Sequence, residues 1–193
     1  MNPKRIGILS VGNVLMGDDG IGPFILKTLE SRYTFPPNVV LDDLGTPGLG
    51  ITSFFSDYDA VILIDAAKST GRPGEVHLYR KDQLLHIKIQ PRVSPHDPAL
   101  VEALLFAELS GICPAEVLLV GIIPESCELG CVMSPAMFDA VKPALAAIMV
   151  ELCRFGIAPR LIASPQAPDI WWNEKPSFAL LEEVPAHVPG DTR

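Results

Sequence analysis

Two adjacent aspartates, Asp18 and Asp19, sit inside a glycine-rich stretch, Gly12-Asn13-Val14-Leu15-Met16-Gly17-Asp18-Asp19-Gly20-Ile21-Gly22. A third acid, Asp65, closes the apolar run Ala60-Val61-Ile62-Leu63-Ile64, and His96 lies in Val93-Ser94-Pro95-His96-Asp97. Two carboxylates and one imidazole offer two oxygens and a nitrogen with a net charge of about −2. That donor set suits a divalent first-row metal and leaves coordination positions open. Each residue also has a plainer use. Asp18 or Asp19 could cap a helix, where acids favour the positive end of the dipole. Asp65 could turn the chain after a strand, and His96 could be a hydrogen-bonded loop histidine. The joint placement is what makes the metal reading attractive.

The elements around these residues must bring them together. Ile6-Gly7-Ile8-Leu9-Ser10-Val11 reads as a buried strand, and positions 21–29 read as a helix with apolar Ile21, Phe24, Ile25 and Leu29 on one side. The acidic pair therefore falls at a strand-to-helix turn. In an open α/β sheet that is where ligands bind, beyond the carboxyl ends of the strands. A second strand is predicted at 38–41, followed by the glycine-rich Gly45-Thr46-Pro47-Gly48-Leu49-Gly50 and a short helical stretch through Phe55. The run 60–65 has the two-sided apolar character of a central parallel strand. Glu75-Val76-His77-Leu78-Tyr79 alternates, as a half-exposed and possibly antiparallel edge strand would. A helix over 97–109, a buried strand over 117–123 and a long helix from Pro135 through Leu152 complete the series. Ser134 is placed to cap that last helix, with Pro135 at its first position. The alternation predicts an α/β fold of three layers: a mostly parallel twisted sheet, helices on both faces and one antiparallel edge strand. This domain is expected over 1–157. Residues 158–193 carry repeated prolines and little periodicity, and are expected to form a tail, partly extended or disordered. Trp171-Trp172 stands out in it, either docked on the domain or serving as an anchor for a partner.

Bulk properties remove several classes. The chain has 193 residues, 48% of them hydrophobic, and a formal net charge of −8. Binding nucleic acid requires a positive footprint that these scattered lysines and arginines do not provide. No run of about 20 apolar residues spans a membrane. Asn13 and Asp18 interrupt the apolar run after Lys4 and Arg5, so no secretory signal is expected and the location is read as cytoplasmic. Cys113, Cys127, Cys131 and Cys153 follow no zinc or redox spacing and read as thiols in a reducing compartment. There is no G-x-x-x-x-G-K-[ST], no G-x-G-x-x-G, no H-E-x-x-H and no G-x-S-x-G. No Ser, Cys or Thr has a partner that suggests covalent catalysis.

Four pieces in order resemble one family. They are Gly12-Asn13 with Leu15 and Asp18-Asp19-Gly20-Ile21-Gly22; Ile64-Asp65-Ala66; Ser94-Pro95-His96; and Val120-Gly121-Ile122-Ile123-Pro124-Glu125-Ser126. The chain is similar, over about positions 5 to 155, to the hydrogenase maturation proteases that process [NiFe]-hydrogenase large subunits. The resemblance implies that Asp19, Asp65 and His96 recognise nickel already delivered to the large-subunit precursor. A C-terminal extension is then cleaved off. The nickel would be the substrate's own, and no nucleotide is implied. Asp19 stands where the family often has Glu. Asp18 is left as an orienter or base. The family's usual Asp-Gly-Gly-Thr loop appears here as Asp43-Leu44-Gly45-Thr46, which bears on the hydrogenase subgroup served. Two other readings differ in class. One is a non-enzymatic nickel-sensing assembly factor or metallochaperone. The other is a nucleotide- or small-ligand-binding module, weakened by the missing phosphate loops.

Overall fold

A computed structural model describes residues 3–67, 69–86, 97–130 and 132–172. Seven strands and five helices alternate along them: β1 (Ile6–Ser10), α1 (Ile21–Arg32), β2 (Tyr33–Thr34), β3 (Val39–Asp43), α2 (Thr52–Phe55), β4 (Ala60–Ala66), β5 (Val76–Arg80), α3 (Lys81–His86), α4 (Asp97–Ser110), β6 (Glu116–Ile122), α5 (Pro135–Arg154) and β7 (Arg160–Leu161). The main sheet has the order β3-β1-β4-β6-β5. Four strands run parallel, and β5 pairs antiparallel with β6 at the edge. The predicted three-layer α/β class and its antiparallel edge are therefore present. Strands β1 and β4 are buried along their whole length, in keeping with their predominantly apolar letters, and the burial includes the polar Ser10 and Asp65 near their carboxyl ends.

Strand periodicity divides the core in two. Ile6, Ile8, Ile62, Ile64, Leu118, Val120 and Ile122 face α1 and α5, packing with Phe24, Leu29, Met137, Leu145 and Ile148. Their neighbours Leu9, Val11, Val61, Leu63, Val117 and Leu119 face the other way, onto Phe55, Leu84, Leu104 and Ala107 of α2, α3 and α4. By the same alternation Asp65 belongs with Val61 and Leu63, on the α4 side.

Three local features add to the sequence reading. Residues 81–86 form α3. A second, two-stranded sheet pairs β2 with β7, so the chain after α5 returns to the end of α1. Further on, Ile170 and Trp172 are buried in the α1–α5 core cluster while Trp171 is exposed. Among the described residues no helix is long and apolar enough to cross a membrane.

The far end of α5 is tied to the sheet by charge. Buried Glu151 receives both terminal nitrogens of Arg80 from β5, at 2.6 and 2.7 Å, and the guanidinium of Arg154 one turn on. Arg154 also pairs with Glu116 of β6, which takes Lys4 at 3.0 Å. Burial pushes the Glu151 carboxyl up, but the two guanidiniums outweigh it and hold it below the usual carboxylate range. Glu116 is likewise raised by burial and, on balance, lowered by Arg154 and Lys4. Groups depressed in this way stabilise the fold above the unfolded carboxylate pKa of about 4.3, and that contribution is lost as pH falls through their lower folded values. Urea unfolding at stepped pH is expected to show a loss of stability below about pH 4.3. Glu151→Gln is expected to lower stability at pH 7 by about 1–3 kcal/mol and to flatten that acid limb.

Candidate functional site

Strand β1 ends at Ser10 with its neighbour β4 still running, so Val11 donates its N–H to Ile64 O at 2.9 Å. The chain then turns through Gly12 at φ +141°, where a methyl group would lie 2.0 Å from Asp19 O. Only glycine lets the returning backbone settle this closely. Asn13 N–H donates to Asp19 Oδ2 at 2.7 Å, and Asn13 Oδ1 accepts from Leu15 N at 3.0 Å, a local turn that asparagine side chains favour. Residues 17–20 form one 3-10 turn before α1 begins at Ile21. Gly22, in the first turn of α1, closes the arrangement: a methyl there would lie 2.4 Å from Val11 O and 2.6 Å from Ile64 O. The glycines thus press the acidic turn onto the carboxyl ends of β1 and β4.

Neither aspartate caps α1, whose N-cap is Gly20 with no side-chain bond. Asp18 is buried and turns inward. Its Oδ2 accepts from Glu125 N at 2.7 Å, Ser126 N at 3.2 Å and Ser134 Oγ at 2.8 Å, and its Oδ1 accepts from Ser134 N at 2.6 Å. The Ser134 hydroxyl goes to Asp18 and makes no cap bond to α5, contrary to the simple capping expectation. The backbone reinforces the join. Asp18 N donates to Ser126 O, Gly17 N to Gly130 O and Gly130 N to Leu15 O. One carboxylate therefore holds residues 124–134 and the start of α5 against the first loop. Burial of its charge is compensated by three backbone N–H groups, a hydroxyl and the positive end of α5.

Asp65 lies opposite Gly121 in the parallel ladder, one residue past the last rung shared with β1. It is buried and lines a small, mostly apolar concavity with Val11, Pro47, Gly48, Ile51, Leu63, Leu100 and Leu119. Asp19 is also buried, and its backbone abuts Gly12. Asp65 thus shares its concavity with Val11, while Asp19 meets the next two residues, through its backbone at Gly12 and through its carboxylate at the Asn13 N–H. His96 falls outside the described residues. The helix that starts immediately after it, α4, brings Leu100 into the concavity that holds Asp65.

The 43–46 stretch forms the remaining flank. Asp43 Oδ1 accepts from Ser10 Oγ at 2.8 Å, Leu44 N–H donates to Ser10 O and Gly12 N–H to Gly45 O. The Leu44 side chain packs on the α2–α4 core cluster. Three participants were missed from sequence: Ser134, assigned only to capping; Ser10, read only as a strand residue; and Trp172. The Trp172 indole nitrogen lies 3.8 Å from the point a methyl on Gly20 would occupy. Pro124-Glu125-Ser126 was singled out as a motif, but nothing in one sequence pairs its backbone with an acid 107 positions earlier.

Comparison with known proteins bears directly on this arrangement. The family model described as hydrogenase maturation protease matches residues 23–151. The chain is 32% identical over 154 residues to the hydrogenase 2 maturation protease of Escherichia coli K12, covering 79% of this chain and 93% of that one. It is 32% identical over 202 residues to the hydrogenase expression/formation protein HoxM of Azotobacter vinelandii, covering 100% and 95%. The solved structure of the hydrogenase maturating endopeptidase HybD from E. coli superposes with a TM-score of 0.73 at 30% identity, covering 81% of this chain and 97% of that one. The family match spans well over half of the chain, through the sheet that carries Asp65 and into α5: this chain belongs to the hydrogenase maturation protease family.

Proposed function

We propose that this protein removes the C-terminal extension of a nickel-loaded [NiFe]-hydrogenase large-subunit precursor, acting in the cytoplasm. Family membership gives the coarser reading, a peptidase of hydrogenase maturation. The observation that supports the finer one is the pair of buried carboxylates at the carboxyl edge of the sheet, Asp65 in the concavity lined by Val11 and Asp19 bonded to the Asn13 N–H two residues on. The helix beginning just after His96 faces the same edge.

On this reading Asp19, Asp65 and His96 take positions left open on the precursor's nickel. Two oxygens and one nitrogen form a hard-to-borderline set, so the precursor's soft thiolates remain the tighter ligands and keep the metal. The metal then serves as a template that fixes the scissile peptide relative to the protease. Asp18 acts as the orienter: its oxygens already accept four hydrogen bonds, so its work is to hold the turn that presents Asp19.

Incubation with the nickel-loaded precursor is expected to release the extension, seen as a mass loss by mass spectrometry, while metal-free precursor stays intact. Asp65→Asn and His96→Ala are expected to abolish processing with stability changes within about 1–2 kcal/mol. If the free protein instead binds nickel at sub-micromolar Kd and cuts no candidate precursor, the metallochaperone reading replaces this one. Asp18→Asn behaves differently. Its amide turns donors toward donors, so chemical denaturation is expected to show a loss on the order of 3 kcal/mol, with activity falling alongside.

A further inference from the structure

Most large apolar side chains of this protein are buried, but a group of exceptions gathers around the acidic loop. Leu15 is 45% exposed, Leu129 85%, Val132 77% and Trp171 75%. Each is linked to that loop, three by backbone hydrogen bonds of their own segment and Trp171 through its ring contact with Trp172. Leu15 lies in it and accepts, through its carbonyl, the N–H of Gly130, the residue after Leu129. Val132 is two residues before Ser134, whose N–H and hydroxyl are held by Asp18. Trp171 stands edge-on to Trp172, with ring centroids 5.8 Å apart, and the Trp172 indole nitrogen lies beside Gly20.

The exposure is enforced by the fold. Ile170 and Trp172 are buried on either side of Trp171, so the backbone is clamped at both ends and the larger outward ring has nowhere to retreat. Leu129 and Val132 lie on a stretch pinned at Glu125, Ser126, Gly130 and Ser134. Large apolar groups presented on rigid backbone lose little entropy when a partner covers them, which is the profile of interface anchors.

Charge narrows the partner. The exposed charges in the segments that carry or adjoin these rim side chains, 11–22, 123–134 and 162–172, are Glu125, Glu128 and Asp169, and those segments contain no Lys or Arg. Glu125 and Glu128 are exposed beside Leu129. Lys27, which lies near Asp169, is engaged by Glu30 at 2.8 Å. The matching face is apolar at its centre and basic at its margin. The rim is also continuous with the candidate site, since Leu15 and Asp19 share one loop.

We propose that Leu15, Leu129, Val132 and Trp171 form the surface that docks the protein substrate, engaging an apolar patch edged by Lys or Arg on the precursor beside the cleavage site. This rests on the function proposed above. Anchors of this kind act on association, so the effect falls on KM while chemistry at saturation is preserved. With nickel-loaded precursor, Trp171→Ala and Leu129→Ala are each expected to raise KM about fivefold to tenfold with kcat within twofold. Glu125→Lys/Glu128→Lys is expected to raise KM further and to abolish its dependence on salt. Phe106→Ala, which trims an exposed aromatic on α4 away from the rim, is expected to change neither constant. If the wild type processes precursor and the rim variants keep its KM, the docking surface is overturned and the functional reading stands. If the wild type processes no precursor, both fall. Sedimentation equilibrium covers the remaining occupant: self-association of the wild type that Trp171→Ala abolishes would assign the rim to a second copy of this chain and overturn the proposal.

Discussion

The Asp18 carboxylate is the interaction on which the rest of the site depends. It joins three pieces of chain: the turn after β1, the stretch after β6, which backbone hydrogen bonds also tie to that turn, and the first residue before α5. Its surroundings are chosen for an anion, with three backbone donors, a hydroxyl and a helix start. That arrangement explains why two adjacent acids can be tolerated in one buried turn. One carboxylate is held by three backbone N–H groups and a hydroxyl, and its neighbour accepts from the Asn13 N–H. The close packing at Gly12 and Gly22 serves the same end, because any side chain there would lift the turn off the sheet.

The wider architecture follows from placing this turn at the sheet's carboxyl edge. The order β3-β1-β4-β6-β5 puts β1 and β4 side by side, so the loops that leave them are neighbours without a long excursion. Period-two alternation then sends Asp65 to the α4 side, onto the concavity bounded by Leu100 and Leu119. At the opposite end the Arg80–Glu151–Arg154–Glu116 network ties α5 to β5 and β6. The helix that begins at Ser134 is therefore fixed at both ends, by a carboxylate that accepts from its start and by guanidiniums that grip its finish.

Much of the fold was legible in the letters because it rests on local patterning. The apolar runs at 6–11, 60–64 and 117–123 read as buried strands, and the alternation at 75–79 as a half-exposed strand that could be an antiparallel edge. Ser134-Pro135 marked where α5 begins, but not where the serine's hydroxyl points, since that depends on a partner 116 positions away. The β2–β7 pairing was invisible for a related reason: strands of two residues carry no period. Trp171-Trp172 could be read as docked or as displayed, and the chain does one with each ring. Of the site, the type and loop position of Asp18, Asp19 and Asp65 were readable. The division of labour within the acidic pair was not, because hydrogen bonds to backbone amides leave no mark on residue type.

The distance in sequence between Asp18 and its donors has a temporal consequence. A ribosome makes the acidic turn more than a hundred residues before the groups that hold it in shape, residues 125, 126 and 134. Until those have emerged, the turn has glycines to loosen it and a carboxylate with only water to satisfy it. Non-local closures of this kind come late in folding. The nascent chain thus carries the acidic pair long before it carries the buried turn, which is complete only when the stretch leading into α5 is in place.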